Sequence, residues 1–179
     1  MTMGQKDGFL YESGRLGFRR FTEADFPAVC GFLQDPEVMA AWEHGFSDAQ
    51  ARQWLQGNLA RYARDGFGYF AAIEKQTGRL IGAMGPLVEE IDGEAHIGIA
   101  YIVSRDCWGK GYGAEGAGAC LHYAFSQLRA KRVIAQIRPE NIHSRRVAEA
   151  LGMREAGQFV KMYQGKEMPH LIYEKENGE

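Results

Sequence analysis

Apolar and charged residues alternate along Arg15-Leu16-Gly17-Phe18-Arg19-Arg20-Phe21, the period of a strand with one buried face. Thr22 then opens Thr-Glu-Ala-Asp, a cap residue followed three positions later by an acid. That predicts a helix to about Leu33, stopped by Asp35-Pro36. Ser47 caps a second, longer helix, on which Ala51, Trp54, Leu55, Leu59 and Tyr62 share a face. From Gly66 the period changes. Phe67–Glu74, Leu80–Val88 and Ala95–Val103 read as three strands, and Gln76-Thr77-Gly78 and Asp92-Gly93 carry the turn chemistry of hairpins. An antiparallel meander is expected.

After a glycine-rich stretch, Ala114, Ala117, Leu121, Ala124, Phe125 and Leu128 return to the helical period. Arg132–Ile137 is a short apolar strand, and a helix beginning at Asn141 ends at Gly152, a good stop residue. Strand-like runs at Glu155–Tyr163 and Glu167–Tyr173 flank Gln164-Gly165-Lys166. The predicted order is β-α-α-β-β-β-α-β-α-β-β, without internal repeats or serial βαβ units. It defines a mixed α/β sheet with an antiparallel first half. Residues 1–14 read as a flexible N-terminal arm, and residues 15–175 as one domain.

Composition narrows the function classes. At 179 residues, 45% hydrophobic and 25% charged, the chain can bury a real core. Its net charge of −2 is made of interleaved signs, with no basic stripe to follow a phosphate backbone, so nucleic acid is not an expected partner. Cys30, Cys107 and Cys120 lack metal-binding spacing and read as free thiols of a reducing cytoplasm; no metal is expected. Neither a leader pattern nor a membrane-length apolar run is present, so no membrane association is expected.

The chemistry concentrates at glycines 109, 111, 113, 116 and 118. Between a strand and a helix they let successive N–H groups converge on one point, with the positive end of the helix dipole behind them. Lys110 adds a mobile charge and Arg105 a second. A pyrophosphate suits such a cradle. Gly111 to Gly116 also spells GxGxxG, the dinucleotide fingerprint. Against that reading stand the meander before the loop and Ala130-Lys131-Arg132 where an acidic ribose ligand belongs. A merely structural glycine-rich helix start is the plain alternative. GxxxxGK[ST] has no match.

Trp108-Gly-Lys-Gly-Tyr-Gly-Ala-Glu115 resembles the acetyl-CoA loop of the GNAT superfamily, in its RimJ/RimL-like branch. The general pattern Q/R-x-x-G-x-G/A begins here with Trp108, a departure usual in that branch. Arg15–Asp25 resembles the family's opening strand and turn, and Ile97-Gly98-Ile99-Ala100-Tyr101 its central strand. Asn141-Ile-His-Ser144 with Leu151-Gly152-Met153 resembles its N-x-x-S…L-G-F helix, with Met for Phe. The likeness runs from about residue 15 to 175.

This resemblance implies a GNAT fold, with helices on both faces of a mixed sheet splayed after its fourth strand. Acetyl-CoA is the implied cofactor. Its pantetheine would pair with the backbone of Ile102 and Val103, and its pyrophosphate with the N–H groups of Gly109, Lys110, Gly111, Tyr112, Gly113 and Ala114. Trp108, Arg105, Asn141 and Ser144 would complete the cofactor site. Many relatives carry a Glu base at the position of His96, whose free pKa near neutrality suits the task. Glu94 is its substitute, acting through water. The bland alternative makes His96 an ordinary half-exposed strand residue. The family's helix Tyr acid aligns with Ala148, so Ser144 takes its place as proton donor to sulfur unless it merely caps its helix. His143 should face elsewhere, since helical neighbours diverge by about 100°.

Trp42, Glu43 and Phe46 would wall the acceptor site, or else be exposed turn residues. Cys107 reads as structural. The function expected is acetyl transfer from acetyl-CoA to a primary amine, on a small molecule or a peptide N-terminus, by direct attack. A non-catalytic acyl-CoA sensor and a dinucleotide oxidoreductase are the alternatives. A monomer and a homodimer both fit.

Overall fold

Tyr11–Glu12 (β1) opens the chain as a short edge strand, antiparallel to Leu16–Arg20 (β2) with Tyr11 opposite Phe18. The structure is a computed structural model that describes residues 8–178. Phe26–Leu33 (α1) and Asp48–Asp65 (α2) follow, then Phe70–Glu74 (β3), Arg79–Ile91 (β4) and Glu94–Val103 (β5). Tyr112–Ser126 (α3), Arg132–Ile137 (β6), Ile142–Ala150 (α4), Arg154–Tyr163 (β7) and Lys166–Glu176 (β8) complete it. The sheet has eight strands in the order β1-β2-β3-β4-β5-β6-β8-β7.

The predicted elements are present in their predicted order, with one addition. The expected loose arm, so far as it falls within the described residues, contains β1. Tyr11 stacks between Phe18 and Tyr123, with ring centroids 4.4 and 4.5 Å away, and its hydroxyl is 3.2 Å from Cys120 Sγ. One aromatic ring in a buried slot fixes a segment whose polar neighbours read as loose. Burial pushes the Cys120 thiol up to about 12.

Local chemistry sets the helix ends. Ser47 accepts from Gln50 N–H at 3.2 Å while the Gln50 side chain accepts from Ser47 N–H at 2.9 Å, a reciprocal cap. Gly66, at φ 84°, closes the same helix in the left-handed conformation. Asn58 of α2 then anchors the next strand, its amide bonded both to Tyr69 O and to Tyr69 N–H at 2.8 Å.

β2 to β5 form the expected meander. β5 and β6 are the parallel pair, joined through α3 as a single βαβ crossover. Their register contains one pair, Gly98–Ile134. Beyond it the two strands separate, so the sheet is open after β5, which is the fourth strand if β1 is left out of the count. α3 covers one face. A Cβ on Gly116 would lie 1.9 Å from Met84 Sδ, so glycine here lets the helix sit against β4 with Met84 where it is. α1 and α2 pack on the other face, where Trp54 meets Tyr69.

Candidate active site

The gap between β5 and β6 meets the start of α3. Gly109 and Gly111 adopt φ 74° and 80°, left-handed values that a side chain would strain. They turn the chain from Trp108 into α3. The α3 ladder begins with Glu115 N–H to Gly111 O at 3.0 Å. The N–H groups ahead of it have no partner in the ladder and gather at one end of the helix, where the dipole favours an anion.

A cleft of about 660 Å³ opens in front of them. Val103, Trp108, Gly109, Gly111, Tyr112, Gly113 and Ala114 line it on one side, and Asn141, His143 and Ser144 on the other. The Trp108 indole N–H donates to Val103 O at 2.9 Å, tying the loop to the end of β5. Ile102 lines the cleft as well, but its backbone groups turn the other way. Ser104 N–H donates to Ile81 O, and hydrogen-bonding sides alternate along an antiparallel strand. The backbone groups of Tyr101 and Val103 therefore face the gap, and those of Ile102 face β4. This moves one of the two expected pantetheine contacts from Ile102 to Tyr101.

Two expected cations stand apart from the cleft. Arg105 is held by Asp35 and Glu37, each at 2.8 Å, and Lys110 does not line the cleft. The neighbouring cation is Arg15. It stacks on the Tyr112 ring at 4.2 Å, pairs with Glu115 at 2.7 Å, and has its guanidinium beside Gly111. The Tyr112 hydroxyl donates to Glu74.

A second, smaller cavity of about 180 Å³ lies across the gap, and the two spaces share Ala41, Trp42, Tyr101, Arg138, Asn141 and Ser144. Tyr101 and Ser144 hydroxyls are 3.1 Å apart. Burial raises the phenol's pKa, so Tyr101 keeps its proton. Asn141, not Ser144, caps α4, accepting from Ser144 N–H at 3.2 Å. That leaves the Ser144 hydroxyl for Tyr101. His143 lines the larger cleft, contrary to the expectation that it faces elsewhere: in the first turn of α4 the adjacent residues 143 and 144 both border the broad opening.

The acceptor-side expectations divide. Trp42 lines both cavities, while Glu43 and Phe46 line neither. Glu43 is engaged by Lys166 at 2.6 Å and lies 3.8 Å from Arg138; the Lys166 ammonium holds its carboxyl below the ordinary range. Phe46 packs on Trp42 and His44, and His44 Nε2 reaches the Tyr163 hydroxyl at 3.1 Å. His96 and Glu94 line neither cavity. They sit at the start of β5, where His96 Nδ1 is 3.2 Å from Arg132 and its Nε2 3.9 Å from Glu94. The gap opens at the other end of the strand.

The carboxylate the smaller cavity does contain is Glu89 of β4, beside Tyr69, Gln136, Lys161, Tyr163 and His170. Burial raises its pKa. A signal for it was present: Leu87, Glu89 and Ile91 share one face of a strand, which puts an acid between two buried apolar residues. Cys107 is buried, and burial raises its thiol pKa, as for a structural residue. Among the described residues no cluster of three or more His, Cys, Asp or Glu can hold a metal ion, and no helix is long and apolar enough to cross a membrane.

Residues 15–154 match the acetyltransferase (GNAT) domain family. The uncharacterised protein YkkB of Bacillus subtilis (strain 168) is 30% identical over 164 residues, covering 91% of this chain and 93% of that one. A GNAT-family acetyltransferase structure from Bacillus anthracis superimposes with a TM-score of 0.78 at 29% identity, over 94% of this chain and 98% of its own. RimL, a ribosomal-protein α-N-acetyltransferase solved in complex with coenzyme A, shares the fold with a TM-score of 0.75 at 17% identity, over 94% and 98%. The chain belongs to the GNAT family and is an acetyltransferase of that fold.

Proposed function

We propose that the protein transfers an acetyl group from acetyl-CoA to a primary amine, on a small molecule or a peptide N-terminus, by direct attack. The observation that carries this reading is the meeting of the two cavities at Tyr101 and Ser144. One is built for an anionic, extended ligand. The other approaches the same point from the opposite face of the sheet.

The residues present fit the cofactor. N–H groups from Gly109 to Ala114 would receive the pyrophosphate, with Arg15 as the adjacent cation. Backbone groups of Tyr101 and Val103 would pair with the pantetheine, and Asn141 and Trp108 would border it. Acetyl-CoA supplies the acyl group as a thioester. The protein's part is to align the amine, keep the acyl site dry, and provide a proton near the departing sulfur. Tyr101 and Ser144 form one hydroxyl pair suited to that last role. The three free thiols support a cytoplasmic setting.

The test is release of free coenzyme A thiol by the purified protein, given acetyl-CoA and a panel of small amines, amino acids and short peptides. Amine-dependent release with acetylated product by mass is expected. Tight coenzyme A binding without release on any amine would replace this reading with the sensor. Binding of NAD(H) with no thermal stabilisation by coenzyme A would replace it with the oxidoreductase.

A further inference from the structure

We propose that Glu89 is the base that takes the proton from the acceptor amine, an assignment that rests on the acetyltransferase reading above. Three placements support it. Glu89 stands opposite His96 in the β4–β5 ladder, so both side chains leave the same face of the sheet. From there Glu89 runs across β5 over Gly98, where a Cβ would lie 2.7 Å from its Cγ. Its carboxylate reaches β6 beyond the gap and accepts from the Gln136 amide at 3.3 Å. Gly98 pairs with Ile134, the register pair of the parallel strands, and Gln136 is the next residue on the same side of β6. The carboxylate is therefore held over the fork of the sheet, at the edge of the space Tyr101 and Ser144 line from the other face.

Its surroundings match the task. The charges that face it, Arg61 of α2 and Lys161 of β7, act on it coulombically and lower its pKa, against the larger effect of burial. Tyr69 walls it, its phenol kept protonated by burial. His170 shares the cavity, with burial lowering its pKa and Nδ1 2.9 Å from Met168 O. His96 lies outside, between Arg132 and Glu94. A carboxyl left in such a place is costly unless a cation visits it, and the acceptor ammonium is that cation.

The step balances as follows. One proton of the ammonium passes to Glu89, and the freed nitrogen lone pair forms the bond to the thioester carbonyl carbon. The carbon–sulfur bond breaks, and its electron pair leaves with sulfur. The second nitrogen proton passes to sulfur through the Tyr101–Ser144 hydroxyls, giving amide and thiol. Glu89 then returns its proton to water, so one proton is released per turnover.

Glu89→Gln keeps the shape and removes the base. With an accepted amine, kcat should fall by about 100-fold or more. The acidic limb of the pH profile should vanish, and coenzyme A affinity should stay unchanged. His96→Ala should keep the limb. Gly98→Ala, which displaces Glu89 without altering it, should also lower kcat. A readout independent of turnover is melting temperature against pH. A carboxyl pKa raised by folding gives stability present below the unfolded value and lost as pH rises through the folded one. Glu89→Gln should therefore match the wild type in acid, below about pH 4, and become progressively more stable than it toward neutrality. A Glu89→Gln enzyme that keeps its rate and acidic limb, or a pH-independent stability difference, overturns the assignment while leaving acetyl transfer intact. A wild type that turns over no amine overturns both.

Discussion

The cleft at the start of α3 and the cavity across the gap meet at the same two hydroxyls but are made of different material. The first is mainly backbone: left-handed glycines, unpaired helix N–H groups, and the exposed edge of β5 around Tyr101 and Val103. The second is side chains from distant parts of the chain, with Glu89 on Gln136 and Tyr69, Lys161, Tyr163 and His170 around them. Backbone donors are common to every residue type except proline, so the cleft depends on conformation more than on identity. The cavity depends on identity almost entirely. A cofactor held in common across a family can be served by the first kind of construction. A particular acceptor needs the second.

The sharpest way to break this contrast is to add side chains to the cradle. Gly111→Val must adopt a strained left-handed backbone, and Gly113→Val adds atoms where a Cβ already lies 3.0 Å from the Tyr101 ring. Each should lower coenzyme A affinity by more than about 100-fold, measured by calorimetry on protein whose circular dichroism is unchanged. Coenzyme A affinity equal to the wild type in such folded variants would remove the cradle assignment. At the meeting point the expected effect is smaller. Tyr101→Phe and Ser144→Ala should each reduce kcat roughly 10- to 100-fold, the cost of one hydrogen bond to developing charge. Because the hydroxyls act as a unit, the double variant should be little worse than the poorer single one. Multiplicative losses in steady-state kinetics would instead separate the two roles. The smallest effect is expected at Arg15→Ala, since this half-exposed cation is already paired with Glu115. Coenzyme A affinity should drop by less than about tenfold, and added salt should shrink the difference from the wild type.

The same contrast governs what could be read from the chain before folding. Gly109 and Gly111 announce the cradle because left-handed turn conformations are encoded by the residue that occupies them. Asn141-x-x-Ser144 announced a helix start for the same reason, although it took the structure to show that Asn141 does the capping. Strand periods located the meander, and the family resemblance implied the open seam. What stayed hidden depends on pairing between strands. The run that predicts the second meander strand stops at Val88, whereas β4 continues to Ile91 and carries Glu89 into the cavity. His96 lies on β5, the strand that borders the gap, but at the end away from the opening. Arg15 lies 100 residues from its partner Glu115, a distance no local pattern spans. Tyr11 carries no local signal, because its slot is made by Phe18 and Tyr123, one of them far along the chain.

The single register pair between β5 and β6 also has a mechanical meaning. The other neighbouring pairs of strands are stitched by longer runs of partners, unbroken in β4–β5 from Gly82–Val103 to Ile91–Glu94 and shifted once in β3–β4 and in β7–β8. At the seam only Gly98–Ile134 joins the strands, and α3, packed on both β5 and β6, acts as the bolt across the joint. The molecule is two plates fastened by one helix, and any ligand seated in the seam becomes a second fastener.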